Sequence, residues 1–396
     1  MFAGLLSKGT TVVHNPLSCD DTKATANAVS SLGATVDYAE ERWSVESDGM
    51  PRAPQGSIVC GESGVTLRFA IPIASLVGPD VKLKGSESLM RRPLQPLIET
   101  MQQLGVRVSV EGVEVRVEAG SMKGGSIQIP GNVSSQFISG LLLAGPLMEN
   151  GLQLRVTSTL ESRGYVSLTI EALRRHGITV QTNREMSLFQ IAPHQTYRPA
   201  EHHISGDYSS ASFLISAAAV TGSKILITGL AQDESDPDSV FLNILAQMGG
   251  RSDFSPVGLL AQGGALHGTK VDVSNCPDLG PIIAVLGNFA EARTEITGAG
   301  RLRFKESDRL RAISMELNRL GADVRETDEG LVVFGPTLLQ GGTVESHGDH
   351  RIAMALTVAA LKASGSVTIR DSQCVNKSYP RFFDDIRSLG VEAIER

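Results

Sequence analysis

Residues Lys305-Glu306-Ser307-Asp308-Arg309 run directly into Leu310, Ile313, Leu317 and Leu320, and the run closes at Gly321. Apolar residues at three- and four-residue steps predict an amphipathic helix over 308–320. Ser307 is the expected N-cap, and Gly321 is the residue expected to stop the helix. The charged group thus falls at a strand-to-helix turn, where unpaired backbone N–H groups already favour anions. Lys305, Arg309 and the helix start suit a phosphate or carboxylate, with Glu306 available for proton transfer. A solvated, self-neutralising turn is the plain alternative.

The phrase that ends at Gly321 recurs along the chain. Helix-terminating glycines stand at Gly33, Gly105, Gly177, Gly249, Gly321 and Gly390, spaced 72 residues apart four times and then 69. Such a period marks copies of one supersecondary unit, here six. Roughly 40 residues before each of the last five glycines a second helix starts. These starts are Gly61-Glu62-Ser63-Gly64, Ser134-Ser135-Gln136, Ser209-Ser210-Ala211-Ser212, Asp278-Leu279-Gly280 and Asp349-His350-Arg351. The helices that follow are apolar nearly all round, which predicts burial. Runs such as Ile225-Leu226-Ile227-Thr228 and Val367-Thr368-Ile369 read as strands.

The expected class is therefore α/β (α+β), with helices inside and sheets outside. Six repeats suggest two domains of three, 1–203 and 204–396. Tyr197, Arg198, Pro199 and the pair His202-His203 break the pattern, so the crossover is placed at about 200–206. Helix starts from both domains are expected to face a shared cleft. Counting back from Gly33 puts the first inner helix start before Met1. About 30 further residues are expected there by the repeat length, including a strand for the last repeat.

Composition narrows the function. A net charge of −7 argues against a general nucleic-acid binder, so any anion site is a local concentration of Arg and Lys. Cys19, Cys60, Cys276 and Cys374 are far apart, which argues against zinc and a disulfide framework and for a reducing, cytoplasmic setting. No apolar run approaches membrane-helix length. The apolar opening Met1-Phe2-Ala3-Gly4-Leu5-Leu6 is too short for a signal peptide and lacks its basic flank.

Several residues have both a chemical and a plain reading. Gly64 allows a ligand to approach the backbone, or merely serves a tight helix start. Arg92, before a helix expected near Pro93, can grip an anion through two parallel bonds or lie at the surface. Ser134, Ser135 and Gln136 exceed what one N-cap needs and suit a phosphate or polyol. Ser209 and Ser210 lack the Gln and read as structural. Ser162 and Tyr165 follow a strand and can meet ligand or solvent. Asp278 either caps its helix or, beside Lys305, takes a proton from a substrate hydroxyl. Arg351 needs an anion, either Asp349 or a ligand. Lys377 reads as a loop lysine, and His350 as a capping or packing residue.

In this order, these motifs resemble the EPSP synthase family, the 3-phosphoshikimate 1-carboxyvinyltransferases. The resemblance spans essentially the whole chain. It is carried by Arg91-Arg92-Pro93, Val133-Ser134-Ser135-Gln136, Gly206-Asp207-Tyr208-Ser209-Ser210-Ala211-Ser212, Lys305-Glu306-Ser307-Asp308-Arg309, Asp349-His350-Arg351 and Lys377-Ser378-Tyr379-Pro380. It implies two domains of three βαββαβ repeats and a monomer without metal or organic cofactor. The implied reaction moves enolpyruvyl from phosphoenolpyruvate to the 5-hydroxyl of shikimate 3-phosphate, through a tetrahedral intermediate. Ser134, Ser135, Gln136, Ser162, Tyr165, Asp278 and Lys305 would contact shikimate 3-phosphate. Gly64, Arg92, Gln136, Arg309, Arg351 and Lys377 would contact phosphoenolpyruvate. Asp278 would be the base and Glu306 a proton-transfer partner.

The chain departs from the family pattern in three places. Glu62 and Val65 replace Asn and Thr of the family's glycine turn, so Glu62 is expected to pair with an arginine such as Arg68. Arg301 stands where many members have Asn. A Pro-x-Ser-Lys-Ser motif is expected upstream of Met1, and the sequence as written is expected to be impaired without its lysine. UDP-N-acetylglucosamine enolpyruvyl transferase shares the fold, but its loop cysteine has no counterpart between Cys60 and Cys276. A non-catalytic repeat scaffold has no use for cations at several buried helix starts.

Overall fold

The six glycines that set the period all adopt left-handed φ in the computed structural model, from +80° at Gly105 to +108° at Gly33. A side chain is strained there, which is why a helix stop recurs as glycine. The structure describes residues 1–78, 80–118, 122–232 and 236–394. The chain divides into two units, Met1–Ile204 and Ser205–Arg396, each with its own hydrophobic core.

The first unit runs α1 (Phe2–Leu5), β1 (Lys8–His14), α2 (Asp20–Ser31), β2 (Thr35–Tyr38), β3 (Arg42–Asp48), β4 (Ile58–Gly61), α3 (Gly64–Ala74) and β5 (Val81–Gly85). It continues with α4 (Glu87–Met90), α5 (Gln95–Gln103), β6 (Arg107–Glu111), β7 (Glu114–Glu118), β8 (Gly125–Ile129), α6 (Ser135–Ala144) and β9 (Leu152–Val156). It ends with α7 (Arg163–Arg175), β10 (Gln181–Thr182), β11 (Leu188–Ile191) and β12 (Glu201–His203). Its sheets have the orders β12-β1-β3-β2, β4-β5-β7-β6 and β10-β11-β9-β8.

One scheme explains all three sheets. Strands β4 and β5 are parallel, joined through the inner helix α3, while β6 and β7 form an antiparallel hairpin after the outer helix α5. A parallel pair needs such a crossover, whereas a hairpin needs only a turn. In the first sheet the parallel partner of β1 comes from the far end of the unit. There β12 places His202 opposite Val13. The segment 200–206, read from sequence as a break in the pattern, thus contains a pairing strand.

The second unit runs α8 (Tyr208–Thr221), β13 (Lys224–Ile227), α9 (Val240–Gln247), β14 (Arg251–Ser255), β15 (Gly258–Gln262), β16 (Lys270–Asp272), α10 (Gly280–Phe289) and β17 (Ala292–Thr297). It continues with α11 (Arg309–Arg319), β18 (Asp323–Thr327), β19 (Gly330–Gly335), β20 (Gly342–Glu345), α12 (His350–Ala360), β21 (Val367–Arg370) and α13 (Phe382–Ser388). Among the described residues its sheets are β13-β15-β14, β16-β17-β19-β18 and the parallel pair β20-β21.

Helices α3, α6, α8, α10 and α12 are buried on almost every side. Their bodies are small and apolar, so only their polar starts carry chemistry. The outer helices bury one face. In α11, Leu310, Ile313 and Leu317 point inward and Arg311, Asn318 and Arg319 outward. The helix starts at Arg309, and its N-cap is Asp308, whose carboxylate accepts from Arg311 N at 3.1 Å. Ser307, expected in that role, instead donates to Asp349 Oδ2 at 3.1 Å. Helix α5 likewise starts at Gln95 rather than near Pro93, and α8 is capped by Asp207 ahead of the serines. Among the described residues no helix is long and apolar enough to cross a membrane.

Inner helices α3 and α6 approach closely at Gly140, where an added Cβ would lie 2.6 Å from the carbonyl oxygen of Arg68. Gly140→Ala gains about 1 kcal/mol of helix propensity but forces this backbone contact apart, at about 1–3 kcal/mol. A lowered urea midpoint is expected. An unchanged or raised midpoint would show that the contact yields freely.

Candidate active site

The centre of the second unit's polar cluster is Arg309, the first residue of α11 and only 1% exposed in its side chain. Three carboxylates surround its guanidinium. Asp349 grips it in two places, Nε to Oδ2 at 2.7 Å and Nη2 to Oδ1 at 3.2 Å. Asp278 Oδ1 accepts from Nη1, and Glu306 Oε2 accepts from Nη2, both at 2.6 Å. These residues come from the starts of α10, α11 and α12, so sequence segments 30 to 40 residues apart meet on one cation.

Three more cations complete the cluster. Lys305 Nζ lies 3.2 Å from Asp278, Arg351 Nη2 lies 3.6 Å from Asp278 Oδ2, and Lys377 Nζ lies 3.7 Å from Glu306. Four cations and three carboxylates thus interlock beside the starts of α11 and α12, and Asp238 and Asp207 also act on Arg351. The cations at these helix starts suit an incoming anion.

The charges shift titration in consistent directions. Burial pushes the Asp278 carboxyl upward, but Arg351, Lys305 and Arg309 outweigh it and hold Asp278 well below the usual range. Burial also raises Asp349, and Arg309 overrides it, for a net lowering. Burial lowers Lys305, with Asp278 offsetting only part of the effect. Burial drives His350 down to about 3, so it is neutral at pH 7 and adds no positive charge to the cluster.

Reach into solvent differs within the cluster. Asp349 is fully buried, whereas the side chains of Asp278 and Lys305 are 21% and 30% exposed. Asp349 therefore organises Arg309, and Asp278 with Lys305 forms the accessible edge.

In the first unit a second group converges on Gly64, the first residue of α3. Ser63 caps that helix, accepting from Thr66 N at 3.3 Å. A Cβ at Gly64 would lie 3.2 Å from Arg68 Nη1, 3.5 Å from Arg92 Nη1 and 3.6 Å from Gln136 Oε1. Arg68 donates to Gln136 Oε1 at 2.6 Å. Glu62 Oε2 lies 3.5 Å from Arg92 Nη2 and accepts from the Ser88 hydroxyl on α4.

The structure places every site residue expected from sequence. Gly64, Arg92 and Gln136 meet in the first unit, and Asp278, Lys305, Glu306, Arg309, Arg351 and Lys377 meet in the second. Ser134 caps α6, accepting from Gln136 N at 3.3 Å, and Ser135 is buried in the first turn. Ser162 is buried with a left-handed φ of 55° just before α7, and Tyr165 lies in that helix's first turn.

Glu62 pairs with an arginine as expected, and that arginine is Arg92. Three other expectations change. Arg351 turns to Asp278 and the Ser209 hydroxyl, because Asp349 is committed to Arg309. Ser209, read as structural, is therefore part of the charged cluster. Lys377 is not a solvated loop lysine: it is itself buried, at the end of a 3₁₀ turn, Ser372–Lys377. Arg68 and Asp349 were missed as site residues. Arg68 sits one helical turn after Gly64, and that spacing is the signal that could have found it.

Comparison with known proteins agrees with this geometry. A sequence model of EPSP synthase (3-phosphoshikimate 1-carboxyvinyltransferase) matches residues 1–386. A 3-phosphoshikimate 1-carboxyvinyltransferase of Clostridium perfringens is 38% identical over 389 residues, covering 97% of this chain and 91% of the relative. One from Methanocorpusculum labreanum is 38% identical over 393 residues, covering 98% and 92%. Among solved structures, an EPSP synthase from Acinetobacter baumannii has a TM-score of 0.79 at 25% identity, covering 98% of this chain and 93% of that one. The enolpyruvyl transferase NikO from Streptomyces tendae also has a TM-score of 0.79, at 20% identity, covering 99% and 91%, and bears on the fold alone.

The fold is that of the enolpyruvyl transferases. Within it, the chain belongs to the EPSP synthase family, the 3-phosphoshikimate 1-carboxyvinyltransferases.

Arg309→Met takes from buried Asp349 its arginine and from Asp278 and Glu306 one of their cations, and is expected to cost roughly 3–5 kcal/mol at pH 7. In the native protein Asp278 and Asp349 have depressed pKa values, so their contribution is present above the ordinary carboxylate range and is lost in acid. In the variant the stranded carboxyls take up protons on folding, so the penalty shrinks toward pH 4. Urea unfolding at the two pH values checks this, and a pH-independent penalty would contradict it.

Proposed function

We propose that this chain transfers enolpyruvyl from phosphoenolpyruvate to the 5-hydroxyl of shikimate 3-phosphate, releasing inorganic phosphate. The observation that carries the reading is the Arg309 cluster, with its four cations gathered at helix starts and its accessible Asp278–Lys305 edge. Both substrates are multiply charged anions, and a cluster of this kind suits them. Arg309, Arg351, Lys377, Arg92, Gln136 and Gly64 take phosphoenolpyruvate. Ser134, Ser135, Gln136, Ser162, Tyr165, Asp278 and Lys305 take shikimate 3-phosphate.

In this reading the hydroxyl oxygen bonds to C2 of phosphoenolpyruvate as its proton passes to Asp278. Glu306, flanked by Arg309 and Lys377, acts in its protonated form and gives its proton to C3, so the methylene becomes a methyl group in the adduct. Glu306 takes a proton back from that methyl as the bond between C2 and the phosphate oxygen breaks, and the proton held by Asp278 leaves on the phosphate. Asp278 is ionised from the start but weakly basic, because three cations hold it. Substrate anions that draw Lys305 and Arg351 to themselves loosen that hold and raise its basicity when it is needed. The chain is read as a cytoplasmic monomer using two small molecules and no cofactor.

The test is phosphate release with phosphoenolpyruvate and shikimate 3-phosphate, together and singly. Release that requires both is expected, and release from phosphoenolpyruvate alone would overturn the reading. Asp278→Asn is expected to lower kcat about 10²- to 10⁴-fold with a smaller change in KM. A kcat within a few-fold of the parent would remove Asp278 from proton transfer.

A further inference from the structure

The Glu62 carboxylate is out of place in a turn that gathers cations. It directly precedes the cap of α3, where backbone N–H groups and two guanidinium groups converge at Gly64. Its Oε2 atom takes two contacts at once: the Ser88 hydroxyl donates to it, and Arg92 Nη2 lies 3.5 Å away. Ser88 belongs to α4, which is itself capped by Ser86, accepting from Leu89 N at 3.1 Å. The carboxylate is therefore tethered toward Arg92 from two elements, while remaining 43% exposed. The 3.5 Å separation is too long for a strong charge-assisted bond, so Glu62 neutralises Arg92 more than it orients it.

Resting on the assignment of Arg92 to phosphoenolpyruvate, we propose that Glu62 is a built-in competitor that sets the anion affinity of the group around Gly64. In the free protein its charge occupies Arg92. An incoming phosphate or carboxylate meets that negative charge and must share or displace it, so binding is weaker than the two arginines and the helix start would otherwise give. Beside it, Arg68 Nη1 donates to the neutral Gln136 amide at 2.6 Å. Such an arrangement tunes selectivity, since each added negative charge on a ligand meets a larger repulsion.

The test compares the parent chain with Glu62→Gln and Glu62→Asp. Phosphoenolpyruvate and inorganic phosphate are titrated calorimetrically, and KM and kcat are measured with both substrates. Glu62→Gln keeps the Ser88 contact and removes the charge. It is expected to tighten phosphoenolpyruvate and phosphate binding about three- to tenfold. The gain should appear in KM for phosphoenolpyruvate rather than in KM for shikimate 3-phosphate, and should shrink at high salt. Glu62→Asp keeps the charge and is expected to stay near the parent value. Equal binding by the parent and Glu62→Gln overturns the proposal. Weaker binding by Glu62→Gln also overturns it, by making Glu62 a residue that positions Arg92. Absence of anion binding by either chain overturns it as well. Failure of the enolpyruvyl reading is a separate result: no turnover of the two substrates, while the calorimetric comparison still decides the role of Glu62.

Discussion

The buried guanidinium of Arg309 is the constraint on which the second unit's polar architecture depends. Taking an arginine out of water costs several kcal/mol, and only well-placed counter-charges offset it. Asp349, Asp278 and Glu306 do so from three directions. None of the three is spent on Arg309 alone. Asp349 also accepts from Arg351 N at 2.9 Å and so caps α12, and Ser307 donates to it. Asp278 also holds Lys305 and Arg351. One ion cluster therefore fixes the starts of α10, α11 and α12 together, and losing any member leaves a buried charge uncompensated.

The repeat explains why chemistry gathers at helix starts. Each inner helix is enclosed by apolar side chains along most of its body, so charged residues keep to its start or, like Arg68, to the turn just after it. In α10, nine of the ten residues from Gly280 to Phe289 are buried. Polar groups can occupy only the end, where the backbone N–H groups need partners and the partial positive charge suits anions. Repetition multiplies such ends, and each copy is then free to vary at its start. The starts differ accordingly: Ser63 and Ser134 cap with hydroxyls, while Asp207 and Asp349 cap with carboxylates.

This division sets what the sequence makes legible. The period is readable because a helix stop in left-handed conformation is a local demand that glycine meets, and all six glycines meet it. Inner and outer helices are readable because burial on all sides and on one side leave different patterns. The return of β12 to pair with β1 is not readable, because its three residues have no periodicity and their partner lies at the other end of the unit. Charge pairing is legible only in part. The residue types at the helix starts announce a polar cluster, but which carboxylate meets which cation depends on distances that packing sets. Arg351 looks bound to its neighbour Asp349 until Arg309 is seen to claim that carboxylate with two bonds. The cap of α11 fails for a related reason. Ser307 and Asp308 are both good caps, and the serine is drawn away by Asp349, a partner 42 residues further on.

The same crowding gives Asp278 two opposed properties. Its cations keep it ionised, which a proton acceptor requires, and they also keep it a poor base. A site of fixed charges cannot resolve that conflict, but a site whose charges are shared with ligands can. Lys305 and Arg351 approach Asp278 at 3.2 and 3.6 Å, with more exposure than Arg309 at 2.6 Å. Of the three cations on Asp278, these two are the more open to an anionic ligand. Arg309, closed in by Asp349 and Glu306, stays. Ligand charge would then move the carboxylate from strongly held to moderately held without disturbing the geometry around it. The buried clamp and the adjustable edge are thus complementary. Asp349 fixes Arg309 so firmly that the remaining charges can shift when substrate arrives while the helix starts stay together.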